Sequence, residues 1–176
     1  MKKLILILVA FGVANIQAME TKYGIGVSNK DFSVLGESVD YDNIELSYYA
    51  SFDNNFAAEF SFSTGLKDKR INIDGGEVDL FVEFGGGNSY FLKGIYNIND
   101  TFYVSAIYAD LGLDINVEGE SLSIKDDDFG YGFGVNYQIP NSENIIRIGF
   151  ESYDFQEVIM TGTEISIDKI ALTYLF

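Results

Sequence analysis

The sequence predicts an all-β protein, an eight-stranded antiparallel up-and-down transmembrane β-barrel with short periplasmic turns and long extracellular hairpin loops. Three observations predict it. Beyond residue 18, apolar and polar residues alternate with period two in segment after segment, the mark of strands with two unlike faces. No later window carries helical apolar spacing over three turns, and none approaches the roughly 20 consecutive apolar residues of a membrane-spanning helix. The connections between alternating segments are unequal in a regular way, short turns taking turns with long acidic stretches, as in barrels whose short turns lie on one side of a membrane.

Residues 1–18, MKKLILILVAFGVANIQA, begin with Lys2 and Lys3, continue in an unbroken apolar run from Leu4, and end at Ile16-Gln17-Ala18, which suits cleavage after Ala18. About eleven apolar residues are too few to cross a bilayer as a helix. Residues 1–18 are therefore expected to be a cleaved secretory signal peptide and residues 19–176 the barrel domain. Removing the signal from 176 residues leaves 158, and removing its two lysines from 11 basic side chains leaves 9 against 27 acidic ones, a net charge of −18.

The strands follow in order. The first lies around Tyr23, Ile25 and Val27. In the second, Ile44, Leu46, Tyr48, Ala50 and Phe52 alternate with Glu45, Ser47, Tyr49 and Ser51. After the turn Asp53-Asn54-Asn55, the third sets Phe56, Ala58, Phe60 and Phe62 against Ala57, Glu59, Ser61 and Ser63. Residues 66–89 look like a hairpin continuing past the main sheet. It turns at Asp74-Gly75-Gly76, and Val78, Leu80, Val82 and Phe84 are expected to keep the face of Tyr90 and Leu92, with Gly85-Gly86-Gly87 as a bend or bulge. The fourth strand sets Tyr90, Leu92, Gly94 and Tyr96 against Phe91, Lys93, Ile95 and Asn97. After a turn at residues 97–100, the fifth runs from Phe102 toward Leu113. On it, Tyr103, Ile107, Ala109 and Leu111 are expected to form the apolar face, because the other then carries Asp110 and Asp114. A third long connection is expected over residues 114–127. The sixth strand sets Phe129, Tyr131, Phe133, Val135 and Tyr137 against Gly130, Gly132, Gly134, Asn136 and Gln138, and Pro140 opens the turn that follows. Ile146, Ile148 and Phe150 against Arg147, Gly149 and Glu151 make the seventh. Ile170, Leu172, Tyr174 and Phe176 against Lys169, Ala171, Thr173 and Leu175 make the eighth.

Alternation alone leaves open which face is inside: a soluble barrel with an apolar lumen, or a membrane barrel with an apolar exterior. The polar face decides for the membrane. It consists of Gly, Ser, Ala and Asn with isolated Glu, Lys and Arg, a set that fills a narrow lumen, whereas a water-facing surface would hold more charge and less glycine. Tyr and Phe near strand ends match the aromatic girdles of membrane barrels.

Composition excludes several activities. Histidine and cysteine are both absent, which removes Ser-His-Asp and Cys-His chemistry, His- or Cys-ligated metals and disulfides. The acidic balance lacks the basic footprint of a nucleic-acid binder. Glu45, Glu59 and Glu151 with Lys93, Arg147 and Lys169 make an inward set of three acids and three bases, expected to compensate one another as a lumen ion network; as a gate or selective pore is the other reading. Asp126-Asp127-Asp128, with Glu118 and Glu120, could gather a divalent cation, but no known calcium-loop spacing is present and a solvated rim is the simpler account. Gly130-Tyr131-Gly132-Phe133-Gly134 places every glycine on one strand face and no helix follows, so it is not a phosphate loop. Asn99-Asp100-Thr101 is a nominal glycosylation triplet in a turn.

The stretch AAEFSFSTGLKDKRINIDGG, the segment YFLKGIYNINDTFYVSAIYADLG, the strand FGYGFGVNYQI and the terminal KIALTYLF together resemble the small outer-membrane β-barrel domain proteins of Gram-negative bacteria, the OmpA/OmpX-like group. The resemblance spans essentially the whole mature chain. It implies a C-terminal assembly signal of the form polar-x-Gly-x-x-aromatic-x-aromatic, matched by Lys169, Ala171, Tyr174 and Phe176 with a small Ala in the Gly position. It implies location and fold rather than activity. The expected protein is a non-enzymatic, cofactor-free monomer of the outer membrane. It contacts outer-membrane lipid and lipopolysaccharide, meets the barrel assembly machinery during insertion, and serves envelope structure and surface adhesion through acidic loops around a plugged polar lumen. A narrow channel for ions or small solutes and a soluble periplasmic carrier are the two alternatives.

Overall fold

The computed structural model describes residues 20–34, 37–52, 55–66, 69–74, 79–117, 120–155 and 165–176; the expected signal peptide lies outside these residues. Ten strands are present: β1 Glu20–Val34, β2 Glu37–Ser51, β3 Phe56–Gly65, β4 Lys69–Asp74, β5 Asp79–Gly86, β6 Ser89–Asn97, β7 Phe102–Val117, β8 Glu120–Gln138, β9 Ile145–Phe155 and β10 Ile165–Leu175. β3 with β4, and β5 with β6, each make one stave of the wall, so eight staves enclose the barrel. All pairings are antiparallel, and β8 bonds both β9 and β7, closing the wall. Closure removes the sheet edges that hydrocarbon could not solvate.

Stepping from partner to partner gives the stagger. Gln138 leads to Ile145, Leu175, Gly24, Ser47, Ser61, Phe91 and Ala109, and returns to β8 at Asp128, ten residues from the start. A ten-residue shear on eight staves tilts the strands by about 40° and leaves an interior that side chains can fill.

The periplasmic turns are local. At the second, Asn99 Oδ1 accepts the backbone N–H groups of Thr101 and Phe102, each at 2.8 Å, so the triplet serves as a turn cap. At the third, Pro140 is followed by Asn141 at φ 60°, a left-handed position that Asn tolerates.

The faces follow the alternation on most staves. Tyr23, Ile25, Leu46, Phe133, Leu172 and Tyr174 are exposed on the outer surface, while Ser61, Gly132 and Thr173 are buried inside. Three expectations are corrected. Tyr103, Ile107, Ala109 and Leu111 do share a face, but it is the lumen face, where all four are buried; Phe102 and Val104 are exposed outside instead, on the same parity as Asp110. Part of the lumen is thus packed with apolar groups, which a rule of polar interior cannot foresee.

The second correction concerns the extended hairpin. Tyr90 pairs with Asp110, but Val82 pairs with Val117 and Phe84 with Ile115, a slip of one residue across Gly87 and Asn88. One extra residue shifts the pairing parity, so Val82 and Phe84 are registered against odd-numbered residues of β7 whereas Tyr90 is registered against the even-numbered Asp110, and Val78 lies outside the described residues. Gly112 lies opposite, and a Cβ there would come within 2.5 Å of the Asn88 carbonyl oxygen. The glycine expectation is met in kind: the irregularity directly follows Gly86. Third, residues 114–117 and 120–127 are strand, since β7 and β8 remain paired from Phe102↔Val135 to Val117↔Glu120.

Candidate functional site

Inward positions of six staves meet in the lumen, where nearly every charged side chain described is buried. Arg147 on β9 places Nη1 2.5 Å from Glu59 Oε2 on β3. The other oxygen of Glu59 lies 3.0 Å from Lys93 Nζ on β6, which in turn lies 2.5 Å from Glu151 Oε1 on β9. Glu151 Oε2 is 3.0 Å from Lys169 Nζ on β10, and Lys169 is 2.7 Å from Glu45 Oε1 on β2. The six residues read from sequence thus form one chain of alternating charge, Arg147–Glu59–Lys93–Glu151–Lys169–Glu45, with no like charges adjacent in it. Each of these six buried charges has an opposite partner, the condition under which ions persist in a low-dielectric interior.

Further contacts fix the geometry. Arg147 Nε donates to Asn136 Oδ1 at 2.9 Å, and its guanidinium lies 4.9 Å from the ring centroids of both Tyr49 and Tyr103. Ser28 donates its hydroxyl to Glu45 at 2.8 Å, and the Tyr153 hydroxyl donates to Glu151. Phe91 carries Lys169 Nζ at 4.2 Å and Lys30 Nζ at 5.1 Å from its ring centroid.

Lys30, only 1 % exposed, is a lumen cation that the sequence reading missed. It donates to Ser63 at 2.9 Å and reaches Ser89 at 3.5 Å. The signal was present: carrying the parity of Tyr23, Ile25 and Val27 further up β1 puts Ser28 and Lys30 on the inner face. Lys22, also inward, pairs with Glu20 at 2.5 Å near the periplasmic end and donates to the Glu143 carbonyl at 2.6 Å.

Apolar side chains lie on both sides of the ladder, on the extracellular side among the buried Lys30, Ser63 and Ser89. On the periplasmic side Tyr49, Ala57, Ile95, Tyr103 and Leu175 form a buried cluster with Ile145 packed against it. On the extracellular side Ala109, Leu111, Tyr153 and Ile167 are buried on the lumen face. The glycines of β8 and β9 make room for this filling. A Cβ on Gly134 would come within 2.6 Å of the Tyr103 hydroxyl, and one on Gly149 within 2.5 Å.

The remaining candidates separate. Asp126, Asp127 and Asp128 lie in strand β8, whose successive residues take opposite faces; Asp127 accepts the Tyr108 hydroxyl at 2.5 Å and Asp128 Oδ1 the Phe129 N–H at 2.6 Å. Glu118 lies outside the described residues, and among those described no three carboxylates converge on a metal-sized site. At the C-terminus Lys169 belongs to the ladder and Ala171 is buried inside, whereas Tyr174 and Phe176 stack outside at 5.8 Å.

The family model described as the outer membrane protein beta-barrel domain matches residues 4–174, and the chain belongs to that family. Among solved structures, the chain is similar to Ail, the attachment invasion locus protein of Yersinia pestis, in complex with the heparin analogue sucrose octasulfate. That match has 14% identity and a TM-score of 0.54, covering 89% of this chain and 97% of that one. Neisserial surface protein A matches at 12% identity and TM-score 0.55 over 87% and 95% of the two chains. The N-terminal barrel domain of Pseudomonas aeruginosa OprF matches at 12% and 0.52 over 89% and 100%. At these identities the likeness is one of fold. No curated protein matches the sequence. Family and fold together place the protein in the outer membrane as a closed eight-stave barrel.

Proposed function

We propose that this outer-membrane barrel is non-catalytic and non-conducting, with a lumen plugged by its own side chains, and that it serves envelope structure and surface interaction through the hairpins that rise beyond the membrane. The observation that carries the reading is the ion ladder, neutral within itself and buried above a packed apolar cluster. A water-filled pore would leave its charges hydrated and independently mobile; here five bridges of 2.5 to 3.0 Å tie six residues on five staves. Ions crossing such a lumen would have to break those pairs in a site without bulk water.

The role in surface interaction draws on the paired strands that extend the wall, β4 with β5 and the upper halves of β7 and β8. Ail, a fold neighbour described as an attachment and invasion protein, supports adhesion as the class of activity to test first. Planar-bilayer recording of the purified protein tests the plug: no sustained conductance is expected, and a stable open level would overturn it. Binding of labelled cells expressing the protein to host-cell and matrix surfaces, compared with cells whose β4–β5 hairpin is excised, tests the adhesive role, which loss-free binding would refute.

A further inference from the structure

At the extracellular end of the ladder the lumen holds a positive charge that the described residues do not balance. The ladder itself carries three acids and three bases. Lys30, 1% exposed, adds a fourth base and forms an ion pair with no carboxylate among the described residues. Its ammonium donates to Ser63 Oγ at 2.9 Å, reaches Ser89 Oγ at 3.5 Å and lies 5.1 Å from the centroid of Phe91. The strand register sharpens the imbalance. Lys30 on β1 stands directly opposite Lys169 on β10, and both point inward toward the ring of Phe91, Lys169 at 4.2 Å. Like charges directly opposite destabilise a strand pair. Lys169 is compensated by Glu45 at 2.7 Å and Glu151 at 3.0 Å; Lys30 has only hydroxyls.

The hydrogens around Lys30 say what would compensate it. An ammonium has three N–H groups to give and accepts nothing, and each serine hydroxyl has one hydrogen to give. Two N–H groups of Lys30 go to Ser63 and Ser89, and the Ser89 oxygen also accepts the Gly112 backbone N–H at 3.3 Å. The third N–H of Lys30 and the hydroxyl hydrogens of Ser63 and Ser89 then have no acceptor among the described residues. A buried donor left unmade is costly, and a buried charge left unpaired more so. One uncompensated ammonium and two hydroxyls, brought together from β1, β3 and β6, are the donor set of an anion.

We propose that Lys30, Ser63 and Ser89 bind a small monovalent anion of the halide class, chloride being the common one. The excess of one base over the acids sets the charge of the ligand at one. Burial sets its size: Lys30 and Ser89 are 1% exposed and Ser63 0%, which leaves no mouth for a carboxylate or phosphate carrying a body behind it. The bound ion joins three staves across the lumen and separates Lys30 from Lys169 electrostatically. Lys30 is not a member of the ladder, so the site stands or falls apart from the plug.

Urea unfolding of the mature protein refolded in vesicles tests it, with chloride replacing gluconate step by step at constant sodium. An ion that binds only the folded state lowers the unfolding constant in proportion to its concentration once the site is filled. That constant should therefore fall about tenfold for each tenfold rise in chloride above saturation. Lys30→Met removes the unpaired charge, so it should be at least as stable as the parent in gluconate and indifferent to chloride. Ser63→Ala keeps the ammonium and should move the chloride dependence to several-fold higher concentration. Crystals grown in sodium bromide should show an anomalous bromine peak within hydrogen-bond reach of Lys30 Nζ. A parent indifferent to chloride at fixed sodium, a dependence that neither variant alters, or bromide crystals without a peak at Lys30 overturns the proposal.

Discussion

Removing the guanidinium of Arg147 is the most direct perturbation of the lumen. Arg147 is 4% exposed, bonded to Glu59 at 2.5 Å and to Asn136 at 2.9 Å, and lies 4.9 Å from the centroids of two tyrosine rings. Arg147→Met keeps much of the aliphatic volume and deletes the charge, leaving Glu59 with Lys93 alone at 3.0 Å. Stranding one member of a buried pair costs about 3–5 kcal/mol; since Glu59 retains one partner, the lower end, about 3 kcal/mol, is expected. With a urea dependence of about 1–3 kcal/mol per molar, the unfolding midpoint in vesicles should fall by about 1–3 M. The partner assignment makes the test sharper. Adding Glu59→Gln should recover part of the loss, because Lys93 still holds Glu151 at 2.5 Å. Adding Glu151→Gln should deepen it, because Glu151 serves both Lys93 and Lys169. An Arg147→Met protein as stable as the parent and altered in ion selectivity would refute the plug, since hydrated charges couple only weakly.

Other variants probe separate parts of the barrel. Phe133 faces outward beside Phe150, ring centroids 5.3 Å apart, so Phe133→Arg at mid-depth should cost about 2–4 kcal/mol, seen as a lower folded yield in vesicles; normal yield would reverse the assigned orientation. Single cysteines in a chain that has none should carry spin labels accessible to oxygen at Leu172 and shielded at Thr173, and equal accessibility would contradict the alternation. Gly149→Ala should cost about 1–3 kcal/mol by overpacking and be relieved by Tyr103→Phe, because the Tyr103 hydroxyl is the close neighbour; Gly134→Ala should not be relieved, since the Ile148 carbonyl also blocks it. We propose that the terminal aromatics matter for assembly, so Tyr174→Ala/Phe176→Ala should lower the amount reaching the outer membrane while detergent refolding persists. Deleting Phe176 additionally removes its two backbone hydrogen bonds to Tyr23, at 2.8 and 2.9 Å, and unchanged surface levels of both variants would refute the assembly role.

Period two determined the strands of this protein because the alternation of a strand is local: each residue faces opposite its neighbour whatever the rest of the chain does. Hence the faces of β3, of β10 and of β8 from Phe129 to Gln138 were legible, as were the six charged residues of the ladder, each an isolated charge on a small-residue face, whereas the upper half of β8 was not. What tertiary structure decided are the quantities set between strands. Which base meets which acid depends on the ten-residue stagger at closure, which brings Arg147 to Glu59 across 88 residues of sequence. The register of Val82 and Phe84 depended on a one-residue slip at Gly87 and Asn88, where glycines mark an irregularity without stating its parity. Tyr103, Ile107, Ala109 and Leu111 looked like an outer face because lipid and a filled lumen both accept apolar side chains. Only the closed wall, narrow enough for Tyr103 to lie over Gly134 and Gly149, turned them inward, since an eight-stave interior excludes bulk water and rewards apolar filling beside paired charges.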